Sequence, residues 1–311
     1  KEKATGQYSI AIKLQNSNKN ITIANNLITT ANGTPSSTTP TDMMAIHSSA
    51  SLDTNLDILN NRIIGSGGIY VLSGGYSSSS YNINIINNLL ENIYDYGIYS
   101  EYTRIGKIIN NKIYQDPMAA IFGGRGYGIY VYYSYGVTST ITDISRNRIR
   151  GSFQTFTNFS YCFSSYGTYN DVLFTNNILI KTGTGTTADM LYINYGQWQC
   201  INNTFVNIGS GTVTDMAHIA SYTSTNINFS NNILSNLTGV CTQLINWVVS
   251  YGTYTLDYNN YYTINGNIAY QSNTTYPTLA AWKSAQPSFN IHSKSVHPLF
   301  IDSLNYVKPT N

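Results

Sequence analysis

ITIANNLI at 21–28, LDILNNRII at 56–64, INIINNLL at 83–90 and GKIINNKI at 106–113 are four copies of one phrase. Each sets a pair of asparagines between apolar positions. The phrase returns as TDISRNRI at 142–149, VLFTNNIL at 172–179, WQCINNTF at 198–205, INFSNNIL at 227–234 and TLDYNNYY at 255–262. Taking the second asparagine as Asn26, Asn61, Asn88, Asn111, Asn147, Asn177, Asn203, Asn232 and Asn260, the gaps run from 23 to 36 residues, with a mean near 29. A recurrence of that length with variable gaps is the mark of a solenoid, in which each coil contacts only its neighbours.

The columns around the pair give the local structure. Three residues before it stand Ile23, Ile58, Ile85, Ile108, Ile144, Phe174, Cys200, Phe229 and, in the last copy, Asp257. Two residues after it stand Ile28, Ile63, Leu90, Ile113, Ile149, Leu179, Phe205, Leu234 and Tyr262. Alternation before the pair has the period of two expected of a strand. Asparagine tolerates left-handed backbone, so the pair marks a corner. Asparagines stacked one coil apart can also hydrogen-bond side chain to side chain as a ladder.

A second element recurs between the copies: MAIHSS at 44–49, GIYVLSGG at 68–75, GIYSEY at 97–102, GIYVYYSYG at 128–136, MLYINYG at 190–196 and MAHIASY at 216–222. It reads as a further strand per coil. No stretch between copies is long and amphipathic enough for a helical crossover. The expected fold is therefore all-β, a parallel β-helix of about nine coils over residues 1–265. With coils about 4.8 Å apart, it forms a rod roughly 40 Å long. The pattern changes beyond residue 262. TYPTLAAWKSAQP at 275–287 carries the one helix signal, with Pro277 near its start. SVHPLFIDS at 295–303 reads as a closing strand. Residues 266–311 are expected to form a helix-containing C-terminal cap and tail. No equivalent cap precedes residue 8, so more chain, or another molecule, is expected over that end. The opening KEKATGQYSIAIKL is already strand-like and reads as the start of a mature or excised piece of a longer polypeptide.

The repeated INxxNNxI and GIY segments resemble the right-handed parallel β-helix superfamily, often called pectate-lyase-like. The closing DYNNYY…YPTLAAWKSA…SVHPLF is similar to the ends of β-helix domains in large secreted surface proteins of Bacteroidota. The resemblance implies a right-handed coil and a secreted or cell-surface setting. It covers roughly residues 8–265 and specifies fold rather than activity. His297 stands where the closing motif usually has an acidic residue before the proline.

Composition narrows the function. Charged residues make up 10% of the chain, the formal net charge is +2, and there are 28 tyrosines. That balance gives no electrostatic case for nucleic acid. No apolar run of 18 residues is present, so no membrane insertion by a helix is expected. Three widely spaced cysteines (Cys162, Cys200 and Cys241) contain no CxxC and suggest neither zinc site nor disulfide framework; Cys162 and Cys200 read as small core residues.

The strongest surface feature is tyrosine. With Ile69, Ile98, Ile129 and Leu191 inward, Tyr70, Tyr99, Tyr130 and Tyr192 point outward from equivalent places, and His218 and Asn246 continue the column. Tyr132 and Tyr195 enlarge it. Such rings can stack on sugars while their hydroxyls bond sugar hydroxyls. The same tyrosines also suit strands simply as good neighbours on a β-surface. The leading expectation is a non-catalytic module for adhesion or polysaccharide binding, without cofactor. The alternative is a carbohydrate-active enzyme, a calcium-assisted lyase on an acidic glycan. It would use Glu101 with Arg104 or Arg125 from the charged stretch 91–125, as lyases of the resembled superfamily pair carboxylate-held calcium with a basic residue. A rigid spacer within a larger surface protein is a third class.

No adjacent Asp-Asp pair occurs, and glycosidases of the resembled fold use such pairs. His47, His218, His292 and His297 are too scattered along the chain to suggest a metal set. Arg146, Arg148 and Arg150 alternate, so they are expected to share a face, either solvated or anion-binding. Asp257 is the one acidic residue in an inward column, with Lys283 or His292 of the cap as expected partners.

Overall fold

The computed structural model describes residues 10–30, 44–48, 53–65, 67–73, 80–94, 96–115, 126–132, 135–136, 141–160, 163–164, 171–221, 225–249, 252–302 and 306–309. They form a right-handed parallel β-solenoid with one short C-terminal helix. Each coil lays one strand on each of three sheets in turn. Tyr96–Glu101 lies on sheet A, Thr103–Ile109 on sheet B and Lys112–Gln115 on sheet C. Among the described residues, sheets B and C hold nine strands each. Sheet A holds eleven, the last of them (Thr274–Tyr276) antiparallel. The long corner stretches 30–43, 73–81 and 116–127 fall mostly outside the described residues.

The asparagine pair has two separate jobs. The first asparagine makes the bend from sheet B to sheet C. Asn25, Asn60, Asn87, Asn110, Asn176, Asn202 and Asn231 all have φ between 54° and 60°. Asparagine adopts this left-handed region more readily than residues with larger side chains, because its short amide can bond locally. Arg146 takes the same conformation at φ 59° in its own coil. It therefore occupies the corner, while Arg148 and Arg150 share the outward face of the strand Arg148–Gly151.

The second asparagine turns inward and is buried. Asn61, Asn88, Asn111, Asn147, Asn177, Asn203 and Asn232 are each at most 1% exposed. Each donates from Nδ2 to the Oδ1 of the next and to a strand carbonyl of the coil before. Asn147 Nδ2, for example, bonds Asn177 Oδ1 at 3.1 Å and Ile108 O at 2.8 Å. Each Oδ1 accepts twice from the preceding asparagine, at its backbone N and its Nδ2; Asn147 Oδ1 does so from Asn111 at 3.0 Å for both. The amide is thus satisfied on all sides, the condition under which a polar group can sit in a core.

Apolar columns flank this spine. Ile58, Ile85, Ile108, Ile144, Phe174, Cys200 and Phe229 are at most 1% exposed on sheet B, as are Ile63, Leu90, Ile113, Ile149, Leu179, Phe205 and Leu234 on sheet C. Full burial of each large apolar side chain contributes roughly 1.5–3 kcal/mol. The glycine of the GIY phrase has its own reason. A Cβ on Gly97 would lie 2.5 Å from the carbonyl oxygen of Gly128 in the next coil, so no side chain fits there.

The last coil corrects the register read from sequence. Asn259, not Asn260, continues the ladder: Asn232 Nδ2 bonds Asn259 Oδ1 at 3.1 Å. Tyr258 holds the left-handed corner at φ 57°. The inward positions are consequently Leu256 (2% exposed) and Tyr261 (0%), and Asp257 points outward. There Asp257 accepts from the backbone N of His292 at 2.6 Å and meets its Nδ1 at 2.7 Å, the partner expected of it.

The cap ends the ladder rather than merely covering it. Ser293 Oγ accepts from Asn259 N at 3.0 Å and donates to Asn290 Oδ1 at 3.0 Å. Lys294 N bonds Asn259 O, and Tyr261 N bonds Lys294 O. Helix α1 (Leu279–Ala285) starts at Thr278, whose side chain accepts from Ala281 N. Its Trp282 is fully buried, packs edge-on against Tyr261 at 5.8 Å and donates to Gln271 Oε1 at 2.7 Å. Among the described residues, no helix is long and apolar enough to cross a membrane.

Candidate functional site on the outer face of sheet A

Sheet A brings the tyrosine column into register as the sequence implied. His47, Tyr70, Tyr99, Tyr130, Asn158, Tyr192, His218, Asn246 and Tyr270 are successive cross-strand partners. A parallel column, Tyr96, Tyr127, Thr155, Asp189, Asp215, Gln243 and Asn267, runs beside it. Between the columns the strand bends. In successive coils Met190 and Leu191, Met216 and Ala217, and Leu244 and Ile245 are all buried. The bend places residues three apart, such as Asp215 and His218, on the same outer side.

The tyrosines are not equally available. Tyr70 and Tyr99 are 3% and 8% exposed and form a cluster with Met44, against which Tyr96, Tyr130 and Leu72 pack. Tyr70 and Tyr99 thus serve mainly as packing. Tyr96, Tyr127, Tyr130, Tyr132 and Tyr192 are half-buried. Tyr96 stacks on Tyr127 at 5.2 Å, and Tyr127 on Tyr130 at 4.7 Å. Tyr130 lies 5.9 Å from Tyr132 with the rings 27° apart. Burial, reinforced by Tyr127, Tyr132, Glu101 and Tyr192, holds the Tyr130 phenol well above its ordinary pKa, so it stays a neutral hydroxyl. Tyr195 stands apart. It forms a left-handed corner at φ 66°, and its carbonyl accepts from Trp198 Nε1.

The charged residues separate in the same way. Glu101 ends a strand of sheet A and accepts from Tyr99 Oη at 2.8 Å. Arg104 lies beyond the Tyr102 corner, on sheet B. Among the described residues no ion pair joins them. Arg125 lies outside the described residues.

Stacking assembles one group that the linear sequence disperses. Asp189, Asp215 and His218 each place one ligand-type atom within 4.8 Å of the others. His218 Nδ1 is 3.1 Å from Asp215 Oδ2 and 3.4 Å from Asp189 Oδ1. Asp215 is held from below: Gln243 Nε2 donates to its Oδ1, and Asn246 Nδ2 to its Oδ2 at 2.9 Å. Tyr192 sets its ring edge-on to His218 at 5.0 Å. The side chains are graded in exposure, with Asp215 at 3%, Asp189 at 16% and His218 at 24%. Asp215 is the fixed base of the group, while the other two reach solvent.

The electrostatics follow. Burial alone would disfavour an imidazolium, but the hydrogen bonds and charges of Asp189 and Asp215 outweigh it, and the His218 pKa is raised to about 9. Burial raises Asp189; its contact with His218 opposes that rise, and the Asp215 charge adds to it. Scattered along the chain, the histidines suggested no such set. Asp189 and Asp215 are 26 residues apart, which in this part of the solenoid is one coil. The signal was the repeated Asp-Met before each strand core, in ADMLYI at 188–193 and TDMAHI at 214–219.

No family model, no curated protein and no solved structure matches this chain.

Proposed function

We propose that the outer face of sheet A binds a polysaccharide, in a module that works without chemistry of its own outside the cell or at its surface. The observation carrying this reading is the half-buried ring surface of Tyr96, Tyr127, Tyr130 and Tyr132, which continues along the same columns to Tyr192. Successive cross-strand partners are about 4.8 Å apart, so the columns, with Asn158 between Tyr130 and Tyr192, line a straight track that an extended sugar chain can follow. Pre-packed aromatic rings lose little entropy on binding, and their neutral hydroxyls supply directional bonds. Glu101, Asp189 and Asp215 stand among the rings, which disfavours uronate-rich chains and favours neutral or amino sugars.

Affinity electrophoresis through gels containing neutral, amino and acidic polysaccharides tests this. The wild-type chain is expected to be retarded by a neutral or amino glycan. A Tyr130→Ala, Tyr192→Ala double variant should bind roughly tenfold or more weakly, at about 1 kcal/mol per ring. Unretarded wild type across the panel, or equal retardation of the variant, overturns the proposal.

A further inference from the structure

We propose that Asp189, Asp215 and His218 form a binding site for one divalent first-row transition ion of the zinc class. The proposal does not depend on polysaccharide binding. Two carboxylates and one imidazole supply three donors, with a further position open towards solvent on the side of Asp189 and His218. Zinc bonds to nitrogen and oxygen are about 2.0–2.2 Å long, so neighbouring tetrahedral donors lie about 3.3 Å apart. The two separations seen, 3.1 Å and 3.4 Å from His218 Nδ1, match such edges. A nitrogen donor in a set of three argues against calcium, which takes six to eight oxygens, and against magnesium, which keeps a near-octahedral oxygen shell.

Two features beyond the cluster point the same way. Asp215 has the outer support typical of a metal-bound carboxylate, with amide donors from Gln243 and Asn246 in the next coil fixing both oxygens. In the same patch, two carboxamide oxygens are buried without a hydrogen-bond partner. One is Oδ1 of Asn246, whose Nδ2 already holds Asp215. The other is Oδ1 of Asn194, a residue 8% exposed whose Nδ2 meets the Tyr192 hydroxyl at 3.3 Å. The leftover Asn246 oxygen belongs to the carboxamide that holds Asp215, so an acceptor remains over next to that carboxylate for an added cation to use.

The test uses the whole chain without an affinity tag. Equilibrium dialysis against Zn²⁺ and visible absorption on titration with Co²⁺ read stoichiometry and coordination. The expected result is one saturable equivalent, a tetrahedral-type Co²⁺ spectrum abolished by Zn²⁺, and no competition from millimolar Ca²⁺. Asp189→Asn and His218→Gln should each weaken binding at least about 100-fold, since loss of an outer-shell partner alone costs about 10–100-fold. Asn246→Ala should fall within that lesser range. Circular dichroism checks each variant, and the less buried pair Asp189 and His218 decides the matter if Asp215→Asn does not fold. No saturable binding, Ca²⁺ bound as tightly as Zn²⁺, or unchanged affinity in folded Asp189→Asn and His218→Gln overturns the proposal.

Discussion

Replacing Asn147 by alanine should cost far more than an ordinary polar substitution, because the residue is the middle rung of a buried ladder. Its Oδ1 is the shared acceptor for Asn111 N and Asn111 Nδ2, both at 3.0 Å. Its Nδ2 serves Ile108 O and Asn177 Oδ1. Asn147→Ala leaves the Asn111 backbone N–H and one of its two Nδ2 N–H groups without an acceptor, the other keeping Ile85 O, and removes a donor from two acceptors. An orphaned buried group costs about 1–3 kcal/mol, so the two donors alone predict a loss of about 4 kcal/mol. The adjacent Asn176 provides the contrast. It is exposed, sits at φ 57°, and its replacement by alanine costs only the left-handed strain, about 1–2 kcal/mol. Urea unfolding of both variants measures the difference, and amide exchange at Asn111 locates it. A cost for Asn147→Ala below about 1 kcal/mol, or no greater than that for Asn176→Ala, would refute the assignment of separate roles to the two asparagines.

Three further outcomes follow from single residues. Lys181 is fully buried with its ammonium on Thr182 O and Gly183 O, and burial lowers its pKa from 10.5 to about 8. The unfolded chain then binds more protons between those values. This residue's contribution to stability should therefore rise between pH 8 and 10.5, by on the order of 3 kcal/mol, in a comparison of wild type with Lys181→Met; parallel pH profiles for the two would contradict it. Trp282→Ala should destabilise the cap by about 3–5 kcal/mol and expose Leu256 and Tyr261 to faster exchange, read by hydrogen–deuterium exchange of 256–271. Arg146→Asn restores the residue that other coils use at this corner and should stabilise by about 0.5–1 kcal/mol in urea titration, whereas a loss would show that Arg146 has a packing role of its own.

The sequence carried the solenoid because two physical requirements repeat at every coil. A left-handed corner asks for asparagine, and a core asks for apolar residues at alternating places. Where both coincide, as at Asn176 and Asn177, the structure matches the reading residue by residue. At DYNNYY the two requirements part. The asparagine pair suggests one register, while Leu256 and Tyr261 maintain the apolar columns only in the other, and burial decides. The tyrosine columns were legible because strand partners share a face. The coverage of Tyr70 and Tyr99 was not, since it depends on Met44 arriving from another segment and on the strand bend that sets Tyr96 edge-on against Tyr99. The Asp189–Asp215–His218 group was missed for a related reason. In a solenoid, spatial neighbours lie one coil apart, so an acidic pair is found at a spacing of 26 and not in adjacent positions.

The most direct test of the functional account is hydroxyl-radical footprinting of the chain with and without a bound glycan, the oxidised residues being read by mass spectrometry. Protection centred on Tyr127, Tyr130, Tyr132 and Tyr192, with Tyr114 on sheet C and Tyr254 on sheet B unchanged, is the predicted result. Protection on sheets B or C, with the sheet A tyrosines oxidised as in the free chain, would contradict it.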